Sequence, residues 1–179
     1  MFIAHLPSGY ILAKALYVKL HSTGIHVKSF FTVIMLGAIF PDFDLFYFYL
    51  IDQRSTHHHQ YFPHWFSFWI TTFLIAFYFF KHLKSKFSLL ICLFCSGAIL
   101  HIFLDVFVGD VWLFAPFIDQ PYAFFEVTPR YQPWWLNFIW HWSFLIEVLI
   151  CISAVIVYFK RPKESIRLLN THESDNDMN

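Results

Sequence analysis

The sequence predicts an all-α, polytopic membrane helix bundle, and three observations support this fold class. Of its 179 residues, 58% are hydrophobic and only 13% are charged, whereas soluble domains are nearer half apolar and a quarter charged. Long apolar runs recur along the chain, and the basic residues gather in the connections between them. The length suffices for a single domain.

The apolar runs define about five membrane segments. A helix needs roughly 20 apolar residues to cross about 30 Å of hydrocarbon. The last two runs exceed that length, the third is slightly short, and the first is the weakest because it carries His5, Lys14 and Lys19. The second contains a proline and two aspartates, so its helix should break near Phe40. In chain order the segments are residues 2–20, 30–51, 65–80, 87–108 and 134–159.

The distribution of lysine and arginine predicts the orientation of these segments. Basic residues follow the first, third and last segments, whereas the two connections on the other side contain only Arg54 and Arg130. Cytoplasmic connections carry the excess of basic residues, so the N-terminus is expected outside and the C-terminus in the cytoplasm of a bacterial-type inner membrane. Residues 1–161 form the predicted membrane domain. Residues 162–179 are polar, and we expect a disordered cytoplasmic tail.

Composition also excludes several classes of function. The formal net charge is zero, so the chain lacks the basic surface that nucleic-acid binding requires. Cys92 and Cys95 form a CxxC inside a continuous apolar helix pattern, and a redox pair needs a polar, accessible setting. These cysteines and Cys151 are therefore interpreted as packing residues. The first ten residues show no basic region and no cleavage site typical of a signal peptide.

The predicted topology collects the histidines and aspartates at one face of the bilayer. The charge count did not use these residues, yet it places ten of them at or near the outer face. They are His5, Asp42, Asp44, His57, His58, His59, His64, His101, Asp105 and His141.

His101 and Asp105 are four residues apart in an apolar helical run, so their side chains share one helix face. An ionisable residue inside a span is costly and needs a partner or a water-filled cavity. Two interpretations are open. Either the pair forms a buried hydrogen bond that tightens two helices, or it binds a metal. In the second case both residues are ligands, or His101 is the ligand and Asp105 supports it.

Two further patterns favour a metal. THHHQYFPHWF places four histidines within eight residues, in mid-chain between two predicted spans. Asp42 and Asp44 lie in AIFPDFDLFYFYL with apolar residues on both sides, where a cation would neutralise them. The simpler alternatives are a solvated polar loop and helix-terminal carboxylates that face water. Imidazole with carboxylate suits zinc, with manganese or iron as alternatives.

The order of these motifs resembles the predicted inner-membrane metal-dependent hydrolases of the YdjM-like family. The motifs are an early His5, Gly-x3-Pro-Asp-x-Asp (residues 37–44), His-x4-His (59–64) and Gly-x3-His-x3-Asp (97–105). More distantly, the order is similar to that of the zinc-dependent phospholipase C and single-strand nuclease superfamily. The resemblance covers about residues 1–117. Between His59 and His64 the chain lacks the Arg, Gly and Thr of the family pattern.

The resemblance implies roles for individual residues. It implies one or more zinc-type ions held by His5, Asp42, His59, His64, His101 and Asp105. Further ligands, or partners that hold the ligands, would be Asp44, His57 and His58. His141 is added to these from its predicted place at the outer face, not from the resemblance. His141 and Glu147 are six residues apart rather than in the His-x3-Glu pattern of the phospholipases, so neither is carried over as a metal ligand from that pattern. In such a hydrolase, either Asp44 or Asp105 would accept a proton. Independently of the resemblance, Arg130 is the only arginine in the long outer loop, where it would pair with a substrate phosphate or anchor the loop at the interface. Trp112 is one of that loop's aromatic residues, which fit an interfacial belt or a site that draws substrate from the lipid.

These observations together predict a membrane-bound metal-dependent hydrolase. It would use metal-activated water to cleave a phosphoester of a lipid or lipid-linked substrate at the outer leaflet. One alternative is a metal-binding or metal-transporting protein without enzymatic activity. Transporters place ionisable residues along a path to both faces. Here the inner halves of the predicted spans contain no His, Asp or Glu apart from Glu147 in the last span. The other alternative is a structural protein whose histidines pair with carboxylates, and it predicts no bound metal.

Overall fold

The computed structural model describes residues 3–133 and 135–160, and their regular structure is helical. Within these residues there is no β-strand, only an isolated bridge between Val111 and Tyr122, so the all-α prediction is confirmed. The predicted tail, residues 162–179, lies outside the described part. The α-helices are α1 (His5–Leu20), α2 (Val27–Gly37), α3 (Asp44–Leu50), α4 (Phe66–Leu83), α5 (Lys86–Asp105), α6 (Trp135–Ile139) and α7 (Ser143–Phe159).

Two of the described helices, α4 and α5, are long and apolar enough to cross a membrane. The pair α2 and α3 makes a third crossing if it counts as one span bent by 58°. Helices α1 and α7 have 16 and 17 residues, slightly fewer than a straight crossing needs. The structure therefore supports a membrane protein with two or three candidate spans among the described residues.

The second predicted segment breaks where its sequence indicates. Helix α2 ends at Gly37, a 3₁₀ turn covers Pro41–Phe43, and α3 begins at Asp44. Pro41 occupies the first position of that turn, where its missing N–H costs nothing and its fixed φ fits. The predicted break near Phe40 is confirmed, and it leaves Asp42 and Asp44 in a short turn rather than inside a continuous helix.

The last predicted segment is not one helix of residues 134–159. Helix α6 ends at Ile139, and α7 starts only at Ser143. The cause is local: Nδ1 of His141 accepts hydrogen bonds from the Ser143 hydroxyl, at 2.9 Å, and from the Ser143 backbone N–H, at 3.4 Å. A side chain that satisfies the first N–H groups of a helix fixes where it begins.

Helices α2 and α5 approach one another at two glycines. A Cβ added at Gly97 would lie 2.2 Å from the carbonyl oxygen of Ile34, and one added at Gly37 would lie 2.1 Å from that of Phe94. The backbones are thus so close that any larger residue would force the helices apart. This contact aligns the C-terminal ends of α2 and α5.

Helix α1 packs against both α2 and α7. A Cβ added at Gly9 of α1 would lie 2.7 Å from that of Ala38, which follows α2. Helices α1 and α7 run parallel, because Ile3 contacts Glu147 and the ring of Tyr10 lies 6.0 Å from that of Tyr158. The start of α1 is therefore at the same end of the bundle as the ends of α2 and α5.

The cysteines behave as packing residues. Cys92 and Cys95 are free thiols buried in α5, and Cys151 is a free thiol partly buried in α7. Cys95 belongs to an apolar cluster with Trp69 and Ala98. Helix α5 contributes more buried residues than any other described helix, and its C-terminal turns reach the site described next.

Candidate metal centre

Four side chains from three separated stretches of chain bring ligand atoms together. The groups are Asp42, His64, His101 and Asp105, and one ligand atom from each lies within 4.8 Å of all the others. Nε2 of His101 is 2.9 Å from Oδ2 of Asp105 and 3.6 Å from Oδ1 of Asp42. Nε2 of His64 is 3.9 Å from each of the same two oxygens. In tetrahedral zinc sites, neighbouring ligand atoms are about 3.3 Å apart, so one ion fits after small adjustments.

The local structure explains why these side chains converge. His101 and Asp105 stand one and two turns beyond Gly97 on the same face of α5. Asp42 lies in the turn that Pro41 begins, directly after α2. The close α2–α5 contact at the glycines therefore brings the Asp42 turn against the end of α5. His64 ends a 3₁₀ turn, Phe62–His64, just before α4, and α4 packs along α5.

Hydrogen bonds orient the two histidines of this group. Nδ1 of His64 donates to Oδ2 of Asp44 at 2.7 Å, and Nδ1 of His101 donates to the carbonyl oxygen of Ala38 at 2.8 Å. With Nδ1 engaged as a donor, Nε2 carries the free lone pair. A metal-ligating histidine is held in this way, by a carboxylate or a backbone carbonyl on its other nitrogen.

His59 is oriented in the same way as His64 and His101, but by a different hydrogen-bond acceptor. Its Nδ1 donates to the carbonyl oxygen of Asp110 at 2.8 Å, and its Nε2 lies 3.8 Å from Oδ2 of Asp105. Gly109 allows the close approach, because a Cβ there would lie 2.9 Å from the His59 ring. Burial holds the pKa of His59 well below its usual range. The ring is therefore neutral at physiological pH, which is the form that binds a metal.

Asp105 is the centre of the cluster. Its Oδ2 faces His59, His64 and His101, while its Oδ1 lies 3.1 Å from Nε2 of His5. The His5 ring stacks on that of His101, with centroids 3.9 Å apart and planes at 19°. The carboxylate is 2% exposed and has imidazoles on both of its oxygens.

A second group shares His64. His58, His59 and His64 place ligand atoms within 4.8 Å of one another. Nδ1 of His58 lies 3.6 Å from Oδ1 of Asp44, so Asp44 contacts both His58 and His64. His57 is exposed, and its Nδ1 accepts from the backbone N–H of His59 at 3.3 Å. The contact of His57 is thus to the backbone of the histidine turn rather than to the ligand atoms.

Several buried ligand atoms have no hydrogen-bond partner among the described residues. Such atoms are costly in a fold, because they lose water without replacement. A cation at the four-residue group would satisfy two of these atoms, Nε2 of His64 and Nε2 of His101, so the donor set fits a divalent metal. The atoms are Nδ1 and Nε2 of His5, Nε2 of His64, Nε2 of His101, Oδ1 of Asp44 and Nδ1 of His58.

Trp112 lies beside the cluster, whereas two other predicted residues do not join it. The ring of Trp112 is 5.6 Å from that of His57. His141 contacts Ser143 and Trp142 instead of the ligand atoms. Arg130 is exposed, and its backbone N–H donates to Oδ1 of Asn137 at 2.7 Å.

A pocket of about 290 Å³ opens next to the histidine turn. Gln60, Trp65, Trp112 and Asp119 contribute to its lining. Nε1 of Trp112 donates to Oδ1 of Asp119 at 2.8 Å, and Nε1 of Trp65 donates to the carbonyl oxygen of Gln60 at 2.8 Å. The pocket combines indole surfaces with a carboxylate and an amide, and none of the described residues that line it is basic.

Sequence reasoning missed the groups that hold the ligands in place. The carbonyls of Ala38 and Asp110 are backbone atoms, which leave no signature in residue type. The glycines at 37 and 97 belong to the recognised motifs, yet their role as the α2–α5 contact is visible only in three dimensions. Glu147, which the sequence left without a ligand role, turns out to contact the chain just before His5.

The fold and site define a helical membrane protein with a buried histidine–aspartate cluster able to hold a metal ion. The family model described as YdjM inner membrane protein matches residues 1–164, so the chain belongs to the YdjM inner membrane protein family. No curated protein matches the chain significantly. No solved structure matches it either.

Proposed function

We propose that this protein is a membrane-bound metal-dependent hydrolase that cleaves a phosphoester of a lipid or lipid-linked substrate. The observation that carries the proposal is the convergence of Asp42, His64, His101 and Asp105 on one point, with all four ligand atoms within 4.8 Å. Two imidazole nitrogens and two carboxylate oxygens form a donor set that suits zinc, with manganese or iron as alternatives. His5 and His59, which also contact Asp105, are available to a further ion.

A divalent ion held there supplies Lewis-acid chemistry, because it lowers the pKa of coordinated water and polarises a phosphoryl oxygen. The protein contributes the geometry. Asp44 and Ala38 fix the rings of His64 and His101 through Nδ1, so the ligand set is arranged before substrate arrives. Arranging such groups in advance avoids reorganisation during the reaction.

Asp44 and His58 are placed to handle a proton. Oδ1 of Asp44 is buried and lies 3.6 Å from Nδ1 of His58, whose side chain is 23% exposed. A proton released in the reaction can therefore be held at His58 and stabilised by the carboxylate behind it. Asp105 is surrounded by imidazoles on both oxygens and is better suited to hold the metal than to exchange protons with solvent.

The position of the site supports a lipid substrate. The ligands come from the start of α1, the ends of α2 and α5 and the turn before α4, which meet at one end of the bundle. The parallel arrangement of α1 and α7 agrees with an odd number of membrane segments, as in the proposed five-segment topology. The basic connections predict that the site end faces the periplasm. A phosphate at the outer leaflet is within reach of such a site.

The pocket beside the histidine turn is a candidate for the part of the substrate that does not react. Trp112 lies between the pocket and His57, so a headgroup bound there would sit next to the ligand cluster. Indole rings with a few polar groups are typical of sites that orient small ligands. Arg130 remains a candidate phosphate contact on the exposed loop.

Metal analysis with a hydrolysis assay tests the proposal. Detergent-solubilised wild-type protein, purified without chelators, should contain stoichiometric metal and hydrolyse bis(p-nitrophenyl) phosphate or phospholipid vesicles. His64→Ala and His101→Ala should lose both metal and activity while remaining helical by circular dichroism. His82→Ala is the matched control, because His82 is exposed near the opposite end of α4. Metal-free wild-type protein, or activity that survives both substitutions, contradicts the proposal.

The position of Glu147 favours the hydrolase over the transport alternative. Glu147 is in the second turn of α7, level with Ile3 at the site end of the bundle, and it hydrogen-bonds to the Ile3 backbone. It therefore does not extend a path toward the other face, as a transporter would require. Metal flux in proteoliposomes that is lost in Glu147→Ala while metal binding stays intact would restore that alternative.

A further inference from the structure

Glu147 is a buried carboxylate in an apolar helix. It is 2% exposed and lies in α7, whose other residues are almost all apolar. Burying such a group within a membrane helix is costly unless it has a partner. The metal-ligand clusters found among the described residues do not include Glu147, so metal binding does not account for it.

The partner of Glu147 is the backbone just ahead of α1. The N–H of Ile3 donates to Oε2 of Glu147 at 2.7 Å. One turn further along α7, the thiol of Cys151 lies 3.7 Å from the carbonyl oxygen of Ile3 and donates to it. Helix α7 thus binds both polar backbone groups of the same residue, and the contact joins positions 144 residues apart in the chain.

The segment held by Glu147 leads directly into His5. Helix α1 starts at His5, and Ala4 provides no side-chain cap for it. His5 is 4% exposed, its Nε2 is 3.1 Å from Asp105 and its ring stacks on His101 at 3.9 Å. Neither ring nitrogen of His5 has a hydrogen-bond partner among the described residues. The ring reaches Asp105 and His101 only if the start of α1 is held in place, because His5 is the first residue of that helix.

We propose that Glu147 is a positioning residue for the metal centre. Its carboxylate fixes Ile3, which sets the start of α1 and holds His5 against Asp105 and His101. Helix α7 thereby holds a member of the cluster, His5, in place without contributing a metal ligand itself. The inference rests on the proposed metal centre, and it assigns Glu147 a role through His5 rather than contact with substrate or metal.

Zinc affinity of the full-length, detergent-solubilised protein tests this role. Competition with a chromophoric chelator should show Glu147→Ala binding zinc about 10- to 100-fold more weakly, as expected when the support of a ligand is removed. Glu147→Gln keeps an acceptor oxygen in the same place and should bind close to wild type. Glu147→Asp withdraws the oxygen from Ile3 while keeping the charge and should resemble Glu147→Ala. If Glu147→Ala does not fold, the comparison of Glu147→Gln with Glu147→Asp still tests whether Glu147 positions the metal centre.

A double-mutant cycle with His5 separates positioning from general destabilisation. His5→Ala should itself weaken zinc binding, and adding Glu147→Ala should then cause no further loss. Equal losses in the two backgrounds overturn the proposal. Ser153→Ala is the control in α7, since Ser153 is exposed and bonds only to its own helix at Leu149 among the contacts of the described residues. It should leave zinc affinity unchanged.

The outcomes also distinguish this inference from the proposed function. If His64→Ala keeps zinc, the metal centre itself is wrong. If His64→Ala loses zinc while Glu147→Ala and Glu147→Asp bind as tightly as wild type, the centre stands and the role of Glu147 is wrong.

Discussion

His64 and Asp44 form a buried pair in which Nδ1 of the imidazole donates to Oδ2 of the carboxylate at 2.7 Å. His64 is fully buried, and Asp44 is 8% exposed. The bond leaves Nε2 of His64 facing Asp42 and Asp105. Asp44 therefore sets the direction of a ligand atom without needing to touch the metal.

Asp44→Asn is expected to weaken metal binding. The amide is a poorer acceptor than the carboxylate and can present its NH₂ group to His64, so the orientation of Nε2 is lost. Losing such a partner costs roughly 10- to 100-fold in metal affinity. Chelator competition gives the affinity, and Glu126→Gln is the matched control, because Glu126 is an exposed carboxylate in the loop after α5. Similar affinities for the two variants would show that Asp44 does not orient His64.

The glycine contact between α2 and α5 should be sensitive to a single methyl group. Gly97→Ala places a Cβ 2.2 Å from the Ile34 carbonyl oxygen, which forces the two backbones apart. Overpacking of this kind costs about 1–3 kcal/mol of unfolding free energy. Because the displaced ends carry Asp42 and His101, zinc affinity should fall as well.

Thermal unfolding and chelator competition measure the two effects of Gly97→Ala. Ser96→Ala is the control on the same helix, one residue away, because its hydroxyl bonds only to the carbonyl of Cys92 among the described contacts. A Gly97→Ala protein as stable as Ser96→Ala would contradict the close contact.

The sequence predicted most of the fold because the bilayer restricts the choices. Apolar runs and the Pro41 break gave the helices and their limits to within a few residues, and α5 at Lys86–Asp105 nearly coincides with the predicted 87–108. The error was in the last segment. There, the side chain of His141 starts a new helix at Ser143, an interaction that hydropathy cannot detect.

The candidate site was predictable in residue type but not in arrangement. Motif order named the residues that the structure brings together, including His5, which is 100 residues from Asp105 in the chain. The supporting groups were not predictable, because backbone carbonyls and the Glu147–Ile3 contact arise from tertiary packing. For the same reason Arg130 and His141, chosen for their types, do not join the ligand cluster.

Removal of metal should destabilise the wild-type protein. Ligand binding to the folded state adds RT ln(1 + [L]/Kd), about 4 kcal/mol when the free metal is 1,000 times Kd. Without an ion, the buried carboxylate of Asp105 and the partly buried one of Asp42 also lose the positive charge that would balance them. Addition of a strong chelator should therefore lower the melting temperature of wild type. His64→Ala should melt at the same temperature with and without chelator, and a chelator shift that persists in this variant would place the metal elsewhere.

Trp112→Ala should affect substrate binding and leave the metal in place. The indole lines the pocket next to His57, so its loss removes contact area that orients the substrate. We expect a raised KM with a smaller change in kcat, the pattern for lost ground-state binding. Metal content should equal that of wild type. Trp140→Ala provides the control, because Trp140 is 75% exposed and outside the pocket lining. Loss of metal in Trp112→Ala would assign the residue to the ligand framework instead.

The loop that carries the histidines should keep its structure in mild acid. Asp52 accepts hydrogen bonds from the Ser55 hydroxyl at 2.5 Å and from the Thr56 N–H at 3.0 Å, and these bonds lower the pKa of its carboxyl group. Because the pKa is lower in the folded protein, the ionised carboxylate stabilises the loop at any pH above about 3.9, the pKa of aspartate in an unfolded chain. This stabilisation is lost only as pH falls through the lower folded value.

Carbon-13 NMR of the labelled Asp52 carboxyl group measures that titration directly. Its midpoint should lie below 3.9, the ordinary value for aspartate, and hydrogen exchange of the Thr56 amide should stay slow, after correction for intrinsic rates, from pH 7 to 5. In Asp52→Asn the same amide should exchange faster across that whole range, because the acceptor is weakened at every pH. A midpoint at or above the ordinary value would mean that the Ser55 and Thr56 bonds do not hold the start of the histidine turn.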